Sequence, residues 1–191
     1  MELKQKSWFQ TDIYNVDIGV DNQLYPDIIK WKSKSDGVTL SNSGGWHSKT
    51  NMEERPEFKG IFDKVFSAVE TVSNHIGVDL EKFELVSGGM WANVSGQYAS
   101  NRVHNHPGCI WSFVYYVQTP KNCGDLIFLD PRIQAHIMYM PLKHQYERDV
   151  RYTPIEGRLI IFPSWLQHEV KINQSKHKRV SVSGNFYYKV R

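Results

Sequence analysis

From Pro56 to Gly77, apolar side chains return at intervals of three and four: Phe58, Ile61, Phe62, Val65, Phe66, Val69, Val72 and Ile76. That period lays one apolar stripe along about six helical turns. Pro56 suits a first-turn position and Gly77 a stop, so the pattern predicts a helix over 56–76 lying across a sheet. A shorter amphipathic helix is predicted over Leu24 to Lys32, and a mixed strand over 8–18. Ser41 to Ser48 is polar and carries Gly44 and Gly45, which reads as loop or strand edge.

Beyond residue 82 the texture changes. Short β-rich runs cover 82–87, 90–95, 110–118, 125–129, 136–140, 158–162, 167–172 and 179–188. Turn signals separate them, among them Ser87 to Gly89, Asn105 to Gly108, Lys121 to Gly124 and Pro154 to Gly157. About eight strands at this spacing predict a sandwich or barrel rather than β-α-β units. The expectation is one domain over 1–191, mainly β with flanking helices. A supporting section over 1–81 would pack on a double-stranded β-helix, a cupin-like jelly roll, over 82–191.

Composition changes this picture little. A chain of 191 residues with 40% hydrophobic and 23% charged residues fits one globular domain. Six Trp, ten Tyr and nine Phe suit a sheet-rich core. The net charge of +3 comes without any run of five like charges, so a solvated surface is favoured over nucleic-acid binding. Cys109 and Cys123 form no C-x-x-C pair, which suits free thiols in a reducing compartment. The N-terminus lacks an apolar h-region and no run approaches 18 apolar residues, so a soluble cytoplasmic protein is expected. No nucleophile elbow, P-loop or G-x-G-x-x-G motif occurs, which removes the usual hydrolase and nucleotide-binding readings.

Three of the eight histidines carry chemistry worth arguing. If Arg102 to His106 is extended, side chains alternate, and His104 and His106 share a face about 7 Å apart. Alone this H-x-H is a weak signal, since two surface or hydrogen-bonded histidines would look the same. In a strand through His168, Val170 and Ile172 would share its side, placing His168 inward and Glu169 outward. A His-x-His pair plus one His from another strand gives three facial ligands with positions left open. After a polar turn, Arg179, Ser181 and Ser183 share one face while Val180 and Val182 share the other. An inward arginine needs an anion or a protein carboxylate, because burying its charge unpaired costs several kcal/mol. A guanidinium beside a hydroxyl suits a carboxylate gripped two-fold.

The pattern H-x-(D/E), a distal His and then R-x-S about ten residues on belongs to the 2-oxoglutarate/Fe(II) oxygenase superfamily, which the chain resembles through His104, His168 and Arg179-x-Ser181. Residues 91–188 look similar to its prolyl-hydroxylase branch through Ile110 to Val117, Lys121 to Phe128 and Gly157 to Pro163 with His168. More closely, the chain resembles a small family of 2-oxoglutarate oxygenases of marine bacteria and phages. That likeness rests on Asn42-x-Gly-Gly-Trp46, Trp91-x-Asn93, His104-x-His106-Pro107, Asp130-Pro-Arg132 and Phe162-Pro-Ser-Trp165, and spans most of the chain.

The resemblance implies Fe(II) with 2-oxoglutarate as co-substrate, in a hydroxylase coupling decarboxylation to oxidation of a small-molecule or peptidyl substrate. It implies His104 and His168 as ligands, with Arg179 and Ser181 on the distal carboxylate. Tyr116, on one side with Ser112 and Val114, would join them, and Asn93 is a further candidate for the cofactor pocket. Trp46, Trp91 and Trp111 could wall a substrate site or simply be core. No membrane partner is expected, and a homodimer is left open.

The departure is at His106, where the superfamily usually has Asp or Glu. Three-histidine iron sites occur in cupin jelly rolls, so His104, His106 and His168 form the favoured set. Two other arrangements remain: His106 as first ligand with Gly108 in the carboxylate slot, or a carboxylate from elsewhere such as Asp130. Rival functions are a cupin-type three-histidine metalloenzyme that uses no 2-oxoglutarate, and a non-catalytic jelly-roll binding module. His47, His75, His136, His144 and His177 read as surface or satisfied histidines.

Overall fold

The computed structural model describes residues 2–4, 6, 8–132 and 149–191. The strand expected over 136–140, together with His136 and His144, lies outside the described residues. Among the described residues no helix is long and apolar enough to cross a membrane. Both cysteines are free.

Helix α1 covers Leu24–Lys32 and α2 covers Lys59–His75, the latter preceded by a single 3-10 turn over Pro56–Phe58. Pro56 cannot donate a backbone hydrogen bond, which costs nothing in a first turn. The strands are β1 (Tyr14–Asp17), β2 (Asn42–Ser43), β3 (Trp46–His47), β4 (Phe83–Ser95), β5 (Ser100–His104) and β6 (Trp111–Gln118). They continue with β7 (Leu126–Leu129), β8 (Asp149–Tyr152), β9 (Arg158–Pro163), β10 (His168–Val170) and β11 (Arg179–Val190).

These strands make a mixed α/β fold of two antiparallel sheets and two helices. One sheet has the order β1-β9-β6-β11-β4-β3, the other β2-β5-β10-β7-β8. The expected double-stranded β-helix is corrected here. Among the described residues no ladder joins the two sheets or closes either into a barrel; each is open and ends on its own edge strands. Alternation along a segment fixes which side chains share a face. It says nothing about which distant strands pair, and the short edge strands β2, β3 and β8 give almost no periodic signal of their own.

Strand β9 of the six-stranded sheet is buried on both faces, so Leu159 to Phe162 read as an unbroken apolar run. Leu159 and Ile161 of β9 pack with Val180 and Val182 of β11 against Ile61, Val65 and Val69 of α2. Ile160 and Phe162 turn the other way, meeting Leu126 and Phe128 of β7 in a smaller cluster between the sheets. The same alternation along β11 sends Arg179, Ser181 and Ser183 away from the helices and into a cavity between the sheets.

Candidate metal centre

Three histidines meet on one wall of that cavity. His104 ends β5 and His168 begins β10, and the two are direct register partners in the antiparallel ladder. His106 lies two residues beyond β5, its backbone N–H donating to the Ser164 carbonyl at 2.9 Å. Ring centroids are 4.3 Å apart for His104–His168, 5.1 Å for His104–His106 and 5.2 Å for His106–His168. One ring nitrogen of each lies within 4.8 Å of the others, close enough to hold a single metal ion.

Hydrogen bonds fix which nitrogens face inward. A carbonyl only accepts, so Nδ1 of His104, 2.7 Å from the Arg102 oxygen, carries the proton. The Leu166 carbonyl, 2.9 Å from Nδ1 of His168, sets the same tautomer there. Each neutral ring therefore keeps its Nε2 lone pair for a metal, as backbone-anchored ligands do. Burial then disfavours protonation. It pulls His168 down to about 3 and His106 to about 4, helped by the neighbouring imidazoles. His104 is lowered too, again chiefly by burial. The trio is thus neutral and ready to ligate at ordinary pH, and its donor set fits a transition metal that accepts imidazole nitrogen.

The cavity has a volume of about 850 Å³, and among the described residues no Asp or Glu lines it. Arg179 lies on its wall, 3% exposed. Its Nη1 donates to the carbonyls of Cys123 (2.8 Å) and Gly124 (3.2 Å), and Nη2 to Ser95 Oγ (3.2 Å). None of these acceptors is a carboxylate, so the charge has no counter-ion among the described residues. Gly124, at φ +90°, lets this loop come close; a Cβ there would sit 2.1 Å from the Lys171 carbonyl oxygen. Tyr116 is the register partner of Ser181, and both line the cavity. Burial raises the Tyr116 phenol, so it stays protonated as a donor. Asn93 lines the cavity and donates to Ser183 Oγ at 3.3 Å.

Of the three tryptophans, only Trp91 reaches the cavity. Trp46 packs edge-on against Trp31 beneath α1 and donates to the Ser35 carbonyl. Trp111 packs against Tyr14 and donates to the Tyr188 hydroxyl. Ile172 is 52% exposed, because β10 ends at Val170 and the expected inward face does not extend so far. Gly108 does not line the cavity, and Asp130 chelates Arg132 beside a separate 230 Å³ cleft. Asp130 thus lies apart from the three histidines.

Sequence reasoning missed His47. It is 3% exposed, lines the cavity, and stacks on Trp91 with ring centroids 5.2 Å apart. The placement comes from β3 pairing with β4, His47 opposite Asn93. A two-residue strand shows no alternation, so only that long-range pairing could have revealed it.

Residues 89–185, just over half of the chain, match the family model described as "Putative 2OG-Fe(II) oxygenase". The chain belongs to this family. The matched stretch holds all three clustered histidines and Arg179. No curated protein sequence matches the chain. Among solved structures, a Pseudomonas putida prolyl-4-hydroxylase aligns at TM-score 0.65 and 14% identity, covering 93% of this chain and 92% of its own. SnoN, a non-heme alpha-ketoglutarate-dependent epimerase from nogalamycin biosynthesis, aligns at 0.70 and 10% identity, with 92% and 77% covered. A 2OG-Fe(II) oxygenase family oxidoreductase from Burkholderia pseudomallei aligns at 0.54 and 14%; 70% of this chain spans 57% of that one's length. At these identities the likeness speaks for the fold alone.

Within the family, the site overturns the expected cofactor pair. An Fe(II)/2-oxoglutarate centre of the usual kind needs two histidines and one carboxylate. Here the cluster is three histidines, and no carboxylate of the described residues reaches the cavity. The expectation of a hydroxylase that couples 2-oxoglutarate decarboxylation to substrate oxidation is corrected accordingly. The physical reason is charge: three neutral imidazoles leave a bound dication wholly uncompensated by its ligands.

Proposed function

We propose that the chain is a three-histidine metalloenzyme of oxidoreductase-like character that acts on a soluble organic anion and consumes no 2-oxoglutarate. The observation that carries this reading is the convergence of three neutral imidazoles on a cavity wall that has no acidic residue among those described. His104, His106 and His168 would hold a divalent transition metal. When bound, such an ion supplies Lewis acidity and, if redox-active, a place for oxygen chemistry.

The chain's own residues do the rest. Arg179 is a buried cation without a carboxylate partner, so the substrate's negative group offsets its charge. Ser181 and the protonated Tyr116 add hydroxyl donors to that group, and Asn93 borders it. Arg179, Ser181 and Tyr116 are all buried, which strengthens each of these contacts. The motifs shared with marine bacterial and phage oxygenases support kinship with that small group.

Anaerobic loading with Fe(II), Co(II) or Zn(II), followed by metal analysis, tests the site. One equivalent per chain is expected. With Fe(II), oxygen and 2-oxoglutarate, no succinate above the protein-free control is expected; catalytic succinate release would overturn this reading.

A further inference from the structure

We propose that His47 is a substrate-contacting residue, whose Nε2 accepts the donor hydrogen, O–H or N–H, of an anion held at the three-histidine centre. The inference deepens the reading above and rests on it.

Four observations carry it. Nδ1 of His47 lies 2.6 Å from the Ser48 carbonyl, so Nδ1 bears the proton and Nε2 the lone pair. Nε2 has no hydrogen-bond partner among the described residues, nor is it among their sealed, unsatisfied atoms, of which Asn51 Oδ1 is the only one. The residue is 3% exposed and lines the cavity. Finally, the ring is held in place: it stacks on Trp91 at an interplanar angle of 15°, and Trp91 in turn lies 5.7 Å from His106.

The cavity's composition gives this acceptor its meaning. With no Asp or Glu among the described lining residues, the cations Arg102 and Arg179 face only neutral acceptors there: the amide oxygens of Asn93, Asn101, Asn105 and Asn185, the Ser and Thr hydroxyls, and the imidazole of His47. Asn185 Oδ1 is already taken by Ser112 at 2.8 Å. Of the lining imidazoles outside the metal set, His47 alone has its lone pair committed to nothing among the described residues. A substrate with an anionic end and a hydroxyl or amine beside it would be matched at both groups. A simple carboxylate would leave the acceptor facing nothing, and a buried acceptor left unmatched is costly.

Glycolate and methoxyacetate test this directly. Both carry one carboxylate and one oxygen able to chelate, and only glycolate has the donor hydrogen. In the Co(II)-loaded protein, each can be titrated through the visible spectrum. Wild type should prefer glycolate by roughly fivefold to hundredfold, the ratio one buried hydrogen bond carries. His47→Phe should keep one equivalent of cobalt and bring that ratio near one. A ratio near one in wild type, or one unchanged in His47→Phe, overturns the proposal while the metal site stands. If wild type takes up no cobalt, the three-histidine reading falls and this inference with it. Nitrogen NMR of Zn(II)-loaded wild type makes the test independent of any variant's folding. The His47 Nε2 resonance should move on adding glycolate and stay in place with methoxyacetate; equal movement with both would overturn the proposal.

Discussion

His104 and His168 stand opposite each other on neighbouring antiparallel strands, with ring centroids 4.3 Å apart. A backbone ladder, not a flexible loop, therefore sets the distance between two of the three ligands. Substituting either ring by alanine removes a ligand while leaving the ladder intact. His168→Ala should weaken metal binding on the order of a hundredfold or more. Competitive titration against a chelator measures this, and near-wild-type affinity would remove His168 from the site.

Protonation links this trio to stability. In the unfolded chain the rings take up protons as pH falls through about 6.5. In the folded metal-free protein His106 holds out to about 4 and His168 to about 3. Between those limits the unfolded state binds more protons, so stability present above pH 6.5 is lost as pH falls. By pH 5 the loss should be roughly 3 kcal/mol, about 2 from His168 and less from half-buried His106, where solvent screens the charge. Urea unfolding of metal-free protein at pH 7 and pH 5 measures it. His106→Ala should show a visibly smaller difference.

Metal affinity follows from the same depressed values. A site of ordinary imidazoles loses affinity steeply below pH 6.5, since protons compete for each lone pair. Here affinity should change little between pH 8 and 6. A steep fall over that range would mean that the rings are not buried as described.

Arg179 is the next point of test. Arg179→Met keeps bulk but removes the charge and leaves the Cys123 and Gly124 carbonyls without their donor. Metal content should be unchanged. Acetate should raise the melting temperature of metal-loaded wild type by more than that of the variant. Equal shifts in both would place the anion elsewhere.

Gly124 should tolerate no side chain. Its positive φ and the 2.1 Å approach of a Cβ to the Lys171 carbonyl combine strain with a backbone clash. Gly124→Ala should cost about 2 kcal/mol or more. That corresponds to a fall of roughly 4–8 °C in melting temperature for a domain of this size. A variant as stable as wild type would mean that the loop is free to move, and that Arg179 is less firmly held.

Periodicity carried the chain a long way by itself. The apolar stripe from Phe58 to Val72 specifies a helix because its period of 3.6 has no other regular solution. Alternation in Arg179 to Ser183 determines that valines and polar groups part to opposite faces of one strand. The chemistry of a His-x-His pair beside a later His and Arg likewise lies in residue types and spacing. Other features depend on contacts between residues far apart in sequence. The sheets stay open and separate because of how the strands pair, and no local pattern encodes that. That no carboxylate of the described residues comes to the cavity is a fact about everything folded around the three histidines. Trp46 and Trp111 turn into the core while Trp91 faces the cavity, although all three look alike as letters. His47 enters only through its pairing with Asn93 across a strand too short to show a period. Local backbone preference acts over a few residues; the site is built from groups more than 100 positions apart, His47 and Arg179 among them, and only the packed fold brings them together.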